Sequence, residues 1–420
     1  MRVLFRLLAR VPLVWMQALG ALLGWCAWVF SASYRAQFLR QVELAGVDPK
    51  RARAAIASAG RMVAELPLPR RAEGEVPTCT DHAATLLALL AHPNIASKER
   101  VVRRYDHEIR GATLVRPLVG AQHDAHADGV VVAEPTDAHG FAVGIGVNPW
   151  IGLLDPQRMA HAVVDEAIRN VVAVGADPTK VCLLDNFSWG DPRRASTLGA
   201  LAAAVEGCCE AAEMHRAPFV SGKDSLNNEY LGSDGNRHAV PPTLVITAVA
   251  HVPEADRVVT PDLKRAGNVL IQLGDTRPEF GGSHTAMLIP TADTVAPAPV
   301  ADAPQRYARL HDAIREGLVS ACHDLSEGGL AVALAEMVIG GRLGASVRLL
   351  PHRDPTVAWF AESNSRFLCE VAPEHLERFL EVVGHHATVI GVTTDDEMLT
   401  TPQFSVPVHV LVAAFTGGDR

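Results

Sequence analysis

Three segments of this chain begin as short apolar runs and break abruptly into small, polar and glycine residues. They are Leu183–Pro192, Pro218–Tyr230 and Ala321–Met337, and the third continues as a helix after its break. An apolar run of this length predicts a buried strand, so the breaks place Asp185 and a Gly222–Ser225 turn at strand ends. Ligands of open α/β sheets usually bind at such ends. The three breaks therefore predict a nucleotide-phosphate site in an α/β protein.

The composition predicts a folded chain of two or three domains that does not bind nucleic acid. The 420 residues are 48% hydrophobic and 20% charged, as in globular proteins. Lys and Arg are scattered and the net charge is -9, whereas a nucleic-acid-binding protein concentrates basic charge on one face. The seven cysteines form no CxxC pair. Their spacing argues against a zinc site or a disulfide framework and predicts a reducing compartment.

Strand-like and helix-like patterns alternate along the chain, which predicts an α/β or α+β fold with two lobes. In the first lobe, residues 105–252, Asp155 and Pro156 open a helix whose apolar residues recur at helical spacing. Residues 253–420 form the second lobe. Residues 69–104 are predicted to be a helical linker.

The N-terminal segment has a different character. The run Val11–Phe30 contains no charged residue and is long enough to cross a bilayer as a helix. We expect a membrane-bound or membrane-inserted helix, in contact with the inner membrane through residues 11–30. A signal peptide and a buried soluble helix are the alternatives.

Residues 1–68, which include LARVPLVWMQALGALLGWCAWVF, resemble the start of bacterial lipid A acyltransferases of the lauroyl type. Those enzymes use a His-x4-Asp pair as base and orienting group, and residues 1–68 contain no histidine. His123 and Asp128 have the same spacing but lie beyond the resemblance, and chance or a solvated polar turn explains them. We therefore expect no acyltransferase activity.

Six further motifs occur in one order between residues 75 and 420. They are PNIASKERVVRRYDHEIRGA, NPWIGLLDPQRMAHAVVDEAIRNVVAVGADP, LLDNFSWGDP, SGKDSLNNEY, CHDLSEGGLAVALAEM and FAESNSRFLCEV. Together they resemble the back half of phosphoribosylformylglycinamidine synthase. The resemblance implies a two-lobed α/β (α+β) fold like that of aminoimidazole ribonucleotide synthetase, preceded here by the apolar N-terminal helix. It implies ATP- and Mg²⁺-dependent amidation of formylglycinamide ribonucleotide (FGAR) with glutamine-derived ammonia, in purine biosynthesis. Such catalysis relies on positioning and on stabilised phosphate charge.

The resemblance assigns roles to residues at the first two breaks. Asp185 and Gly222 match residues that contact ATP in the family, and Ser225 matches the serine that binds FGAR. Lys223 stands where the family often has a metal-ligating Asn; a charged lysine cannot ligate Mg²⁺ but can bind phosphate. Asp224 is then the expected Mg²⁺ ligand. Without the resemblance, a strand-ending turn is the alternative for Gly222, and Asp185 could hold Mg²⁺, bind a ribose or cap the next turn.

The third break predicts a phosphate site at the start of a helix. Ser326 or Asp324 can cap this helix, while Gly328 and Gly329 leave its positive N-terminus open to an anion. An ordinary cap with glycines tolerated for packing is the alternative. Asp128 resembles the Asp at the start of the family's metal-binding strand and is a second candidate metal ligand.

Three neighbouring residues have less specific predictions. His323 is expected to make structural hydrogen bonds, because most histidines have no catalytic task. Arg169 and Asn170 fix either helix packing or phosphate contacts, and the sequence leaves both alternatives open.

The family's front half, which carries its catalytic histidine, has no counterpart in this sequence, so the catalytic residue is unknown. We expect a cytoplasmic protein whose partners are a glutaminase subunit, a small bridging subunit and a front-half synthetase chain. The alternatives are a non-catalytic, membrane-associated fusion that retains a structural ADP/Mg²⁺ site, and another ATP-using member of the superfamily. The sequence does not determine the oligomeric state.

Overall fold

The computed structural model describes residues 22, 25–26, 29, 74–134, 138–291 and 294–417. The chain divides into two units, one of residues 1–72 with 193–196 and one of residues 73–192 with 197–420.

In the first unit, Leu22, Trp25, Cys26 and Val29 are helical. The predicted apolar helix, its membrane contact and the acyltransferase-like segment otherwise lie outside the described residues. Over the described ranges, no helix combines the length and the apolar character needed to cross a membrane.

The strands of the described chain are, in order, β1 (Thr113–Val115), β2 (Leu118–Val119), β3 (Ala125–His126), β4 (Gly129–Val132), β5 (Gly140–Val147), β6 (Val181–Ser188), β7 (Phe219–Ser225), β8 (Glu229–Leu231), β9 (Arg237–Ala239), β10 (Thr243–Val252), β11 (Val269–Leu273), β12 (Ala321–Asp324), β13 (Gly344–Val347), β14 (Phe367–Val371), β15 (Ala387–Thr394), β16 (Met398–Thr400) and β17 (Ser405–Pro407).

The α-helices there are α1 (His82–Leu90), α2 (Glu99–Val102), α3 (Pro149–Leu154), α4 (Pro156–Ala173), α5 (Ala195–His215), α6 (His284–Leu288), α7 (Ala303–Arg315), α8 (Gly329–Gly341), α9 (Pro355–Phe360), α10 (Leu376–Val383) and α11 (Val408–Thr416). Single 3₁₀ turns occupy Ile109–Gly111, Ala255–Arg257, Pro373–His375 and Gly384–His386.

The larger unit contains two sheets. The first has the order β1-β4-β5-β10-β6-β7, in which only β6 and β7 run parallel. The second has the order β12-β14-β11-β15-β13-β16-β17, in which only β13 and β16 run parallel. β2 pairs with β3 and β8 with β9 in separate hairpins. The predicted mixture of strands and helices is confirmed.

Helix α4 begins where the sequence predicts. The Asp155 carboxylate accepts a hydrogen bond from the Arg158 N–H, and Pro156 takes the first helical position. Both features suit the first turn of a helix, whose N–H groups have no partner within the helix. The apolar stripe of α4 is buried against β5 and β10. This packing places the polar side chains of the same helix at the boundary between the two sheets.

Strands β6 and β7 continue past the points where the sequence predicts that they end. Asp185 lies in the middle of β6, and residues 222–225 are the last four of β7 instead of a turn. The strands persist because ladder hydrogen bonds use backbone groups: β6 pairs with β10 and with β7 as far as Ser188. The predicted strand-end position of Asp185 and the predicted Gly222–Ser225 turn are wrong.

The segment predicted as a helical linker is packed into the second core. Leu86, Leu89 and Leu90 of α1 are fully buried there, together with residues of α8 and α11. Ile95, which follows α1, belongs to the same core. This segment therefore contributes to the walls of the second lobe.

Candidate functional site

The predicted ATP and FGAR residues form one group on two adjacent strands, which we call the strand-edge cluster: Asp185, Gly222, Lys223, Asp224 and Ser225. In the parallel β6–β7 ladder, Asp185 stands opposite Gly222 and Ser188 opposite Ser225. β7 is the last strand of its sheet, and Lys223 and Asp224 are exposed. The five residues are thus brought together at an open edge.

Gly222 is required by the position of the Asp185 carboxylate. A Cβ atom added to Gly222 would lie 2.5 Å from Asp185 Oδ1, closer than any real contact. The backbone of Gly222 is extended as part of β7, so neither a turn nor a left-handed conformation explains the glycine. Its role is to let the carboxylate approach the neighbouring strand.

The strand-edge cluster combines two carboxylates with one ammonium group, which can bind a phosphate ligand. Burial raises the pKa of Asp185, and the nearby Asp224 carboxylate raises it further. The Lys223 ammonium donates a hydrogen bond to Ser225 Oγ at 2.5 Å. The exposed ammonium of Lys223 is therefore on the same strand as the Asp224 carboxylate, where it can bind phosphate as a point charge.

A second group of polar residues encloses a cavity of about 180 Å³, which we call the acidic cavity. Its walls come from the segment after α1, the start of β4, α4, the end of β12 and α8. The polar residues that line it are Asn94, His126, Asp128, Glu166, Asn170, His323, Asp324, Ser326, Glu327 and Glu336. The predicted metal residue Asp128 and the predicted phosphate residue Ser326 meet here.

His323 joins two carboxylates of this cavity. Its Nδ1 lies 2.6 Å from Asp128 Oδ1, and its Nε2 lies 3.1 Å from Glu336 Oε2. Both carboxylates raise the pKa of the His323 imidazole well above its usual range, although burial opposes the shift. The expectation that His323 makes structural hydrogen bonds agrees with this arrangement.

The sequence left two alternatives for Arg169, helix packing and phosphate contacts, and the structure shows which groups of the protein it contacts. Its guanidinium is 3% exposed and bonds Asp165 of the same helix, Asp324 Oδ2 at 3.1 Å and Ser326 Oγ at 2.7 Å. Despite burial, Arg169 and then His323 lower the pKa of Asp324. Arg169 therefore fixes a carboxylate and a hydroxyl of the cavity in place.

Two buried oxygen atoms that line the acidic cavity have no hydrogen-bond partner among the described residues. They are Asp128 Oδ2 and Asn170 Oδ1. The Asp128 side chain is only 1% exposed, and Asn170 uses its Nδ2 to donate to the Ile145 carbonyl. Unpaired buried acceptors are costly, so these atoms point to a ligand that supplies positive charge or donors.

The start of α8 differs from the prediction. Gly328 and Gly329 have φ values of 74° and 64°, and neither Asp324 nor Ser326 caps the helix. The Gly328 N–H donates to Glu362 Oε1 at 2.7 Å, so a carboxylate of the protein occupies the position expected for an anion. The expected side-chain cap is wrong, and the positive φ values explain both glycines, while phosphate binding by Gly328 and Gly329 stays a prediction.

The oxygen ligands of the acidic cavity fit Mg²⁺. Carboxylate and amide oxygens are the groups that Mg²⁺ prefers, and Asp128, Glu166, Asn170 and Asp324 present them from three elements. Burial, with Glu327 and Asp324 nearby, raises the pKa of Glu166 well above its usual range, which a bound cation would reverse. Potential ligand atoms of Asp128, His323 and Asp324 lie within 4.8 Å of one another. His323 is not a suitable ligand, because both of its ring nitrogens already face carboxylates.

Sequence reasoning missed Glu166 and Glu336 and gave Asn170 no specific role. Glu166 and Asn170 are four residues apart on α4, so they lie on one face of that helix. The spacing of two oxygen-bearing side chains is the signal that the sequence offered. No spacing in the sequence pointed to Glu336. Its partner His323 becomes its neighbour only when α8 packs beside β12.

Two family models match this chain. The N-terminal domain of AIR synthase related proteins matches residues 123–252, and the C-terminal domain matches residues 265–401. Together they cover well over half of the chain. The phosphoribosylformylglycinamidine synthase subunit PurL of Moorella thermoacetica is 36% identical over 323 residues, which are 75% of this chain and 42% of that relative. The chain thus spans less than half the length of this relative.

Solved structures give the same fold. PurL of Thermotoga maritima complexed with FGAR has a TM-score of 0.59 and 20% identity, over 79% of this chain and 53% of that chain. The same protein complexed with ATP has a TM-score of 0.57 and 21% identity, over 79% and 52%. PurLQS of Thermotoga maritima has a TM-score of 0.56 and 21% identity, over 73% and 49%. These structures confirm the predicted AIR-synthetase-like α/β fold.

Proposed function

Because the chain belongs to the AIR synthase related proteins, we propose that it is part of an ATP-dependent carbon–nitrogen ligase that converts FGAR to its amidine. The observation that carries the proposal is the strand-edge cluster. A carboxylate, a glycine that lets it approach, a lysine and a serine stand together on β6 and β7, in a chain 36% identical to a PurL subunit. Asp185 and Gly222 are proposed to contact ATP, and Ser225 to contact FGAR.

The residues of the strand-edge cluster suit this reaction. Bound ATP supplies the phosphoryl group that activates the amide oxygen of FGAR, and ammonia then displaces the phosphate. Gly222 lets the Asp185 carboxylate lie close to the backbone of β7. Lys223, once released from Ser225 Oγ, neutralises phosphate charge, and the free Ser225 hydroxyl bonds the substrate. Asp224 is exposed beside them and is the proposed Mg²⁺ ligand of this cluster.

The proposed partners follow from the length of the relatives. This chain covers 42% of the Moorella thermoacetica subunit, so that subunit has further sequence beyond the part that is matched. We propose that a front-half synthetase chain, which supplies the catalytic histidine, completes the site. A glutaminase subunit supplies ammonia, and a small bridging subunit joins them in the cytoplasm.

The acidic cavity favours a second candidate function. Its oxygen atoms come from segments far apart in sequence, and Asp128 and Asp324 are almost fully buried. A cation held there would stabilise the contact between the two lobes without taking part in turnover. We propose that Asp128, Glu166, Asn170 and Asp324 hold Mg²⁺, with Ser326 near the phosphates of a structural ADP.

The experiment that tests the ligase proposal is FGAR-dependent ATP hydrolysis with ammonia as nitrogen donor. It uses the full chain alone and with the front half of the Moorella thermoacetica subunit added. We expect turnover in the mixture and its loss in Asp185→Asn, while the exposed control Asp312→Asn is unaffected. Tight binding of Mg²⁺ and ADP without turnover would support the structural candidate instead. The absence of any nucleotide binding would contradict both.

A further inference from the structure

The Asp128 carboxylate is held entirely through one of its two oxygen atoms. Oδ1 accepts a hydrogen bond from His323 Nδ1 at 2.6 Å and from the backbone N–H of Asp324 at 3.2 Å. Oδ2 lines the acidic cavity and has no partner among the described residues. A carboxylate anchored in this way has a fixed orientation, with one oxygen left for a ligand.

The His323 ring is itself fixed from its other side. Nε2 lies 3.1 Å from Glu336 Oε2 on α8, and the ring is 11% exposed. Since each ring nitrogen faces a carboxylate oxygen, the imidazole cannot rotate without losing both bonds. Glu336, His323 and Asp128 thus form a chain from α8 to the cavity.

We infer that His323 is a positioning residue that presents Asp128 Oδ2 to a divalent cation in the acidic cavity. The inference rests on the proposed cation site and adds the residue that orients its most buried ligand. His323 acts through Nδ1 and does not touch the cation. Outer partners that orient metal ligands commonly change affinity 10- to 100-fold when they are replaced.

Two substitutions of His323 separate the functions of its two ring nitrogens. The amide nitrogen of Asn occupies the place of Nδ1, and that of Gln the place of Nε2. His323→Asn therefore keeps the donor to Asp128 and loses the donor to Glu336. His323→Gln does the reverse. The two variants remove one hydrogen bond each and differ little in volume.

The measurement is a titration of the full chain with Mn²⁺, a probe for hard divalent cations, followed by the electron paramagnetic resonance of free Mn²⁺. The Mn²⁺ that binds in the acidic cavity is defined as the bound Mn²⁺ that the Asp128→Asn variant no longer binds. We expect His323→Gln to weaken that fraction about 10- to 100-fold and His323→Asn to change it less than about threefold. Thermal unfolding is recorded in parallel, and we expect the midpoint temperature to fall by similar amounts in both variants.

Glu336→Gln provides a second test if a His323 variant does not fold. It leaves the Nδ1 bond to Asp128 in place but removes one negative charge from the cavity lining, so the affinity for Mn²⁺ is expected to fall less than in His323→Gln. Equal losses in His323→Gln and His323→Asn, or retained affinity in His323→Gln, would overturn the inference while leaving the cation site intact. If the unmodified chain and Asp128→Asn bind Mn²⁺ equally, the cation site itself is wrong.

Discussion

The strand-edge cluster takes its residues from two adjacent strands and exposes several of them, whereas the acidic cavity takes its residues from distant segments and buries them. Lys223 and Asp224 face solvent at the edge of a sheet. Asp128 and Asp324 have side chains that are 1% and 8% exposed. Exposed charges are screened and individually weak, while buried ones are strong and must be compensated.

This difference separates what each region can do. An open edge lets substrates enter and leave, and the exposed Lys223 side chain can exchange its bond to Ser225 Oγ for a bond to a ligand. The acidic cavity is already organised by Arg169 and His323, so a ligand there meets a rigid set of oxygens. The edge therefore suits turnover, and the cavity suits a bound cation that organises the fold.

Arg169 provides the largest test of this comparison. Arg169→Met removes the guanidinium that pairs with the buried carboxylates of Asp165 and Asp324, which we expect to lower the free energy of unfolding by about 3–5 kcal/mol. Urea unfolding followed by circular dichroism measures the change. The control is Arg378→Met, which breaks exposed ion pairs and is expected to have no measurable effect. Equal effects of the two substitutions would show that the cavity is not under the electrostatic constraint described here.

The buried carboxyl of Glu327 predicts that the free energy of unfolding depends on pH. Burial, and then the nearby Glu362, raise the pKa of Glu327 to about 7, above the ordinary value of 4.5. The folded state therefore holds a proton that the unfolded state has lost, and stability falls as the pH rises from 4.5 to 7. We expect a decrease on the order of 2–3 kcal/mol in the presence of a chelator, measured by urea unfolding.

Glu327→Gln removes this group's titration, so its free energy of unfolding should depend less on pH and exceed that of the unmodified chain at neutral pH. The exposed Glu381→Gln should keep the original slope. An unchanged slope in Glu327→Gln would mean that this carboxyl titrates normally.

The residues of the strand-edge cluster could be selected from the sequence because they occur in two short motifs. What failed was the assumption that polar residues end a strand. Asp185 and Gly222 stay within their ladders because the neighbouring backbones supply the hydrogen bonds, whatever the side chains are.

The acidic cavity could not be assembled from the sequence in the same way. Glu166 and His323 are far apart along the chain and become neighbours only when α4 packs beside β12. The anion-binding start of α8 was predicted from its glycines, but Glu362 lies in a different motif and fills that position. Local patterns identify single residues, and the partner that satisfies each one depends on the tertiary fold.

Gly222 tests the strand edge. Gly222→Ala places a Cβ 2.5 Å from Asp185 Oδ1, which forces the carboxylate or the strand to move. We expect a loss of about 1–3 kcal/mol in the free energy of unfolding and a weaker affinity for ATP. Gly199→Ala on α5 is the matched control, because its Cβ meets open space and alanine favours a helix. If both alanine variants bind ATP like the unmodified chain, the close approach has no functional role.

Lys223 gives the smallest expected effect and separates the two regions most directly. The side chain is exposed, so Lys223→Asn should change the free energy of unfolding by less than about 0.5 kcal/mol. Asn is also the residue that the resemblance associates with metal binding at this position. Because the lysine charge is lost, the affinity for ATP should fall and depend less on salt concentration, measured by titration calorimetry at two ionic strengths. The Mn²⁺ affinity of the acidic cavity should stay unchanged, since Lys223 is not among its lining residues. A change in that affinity would show that the strand-edge cluster and the acidic cavity act as one site.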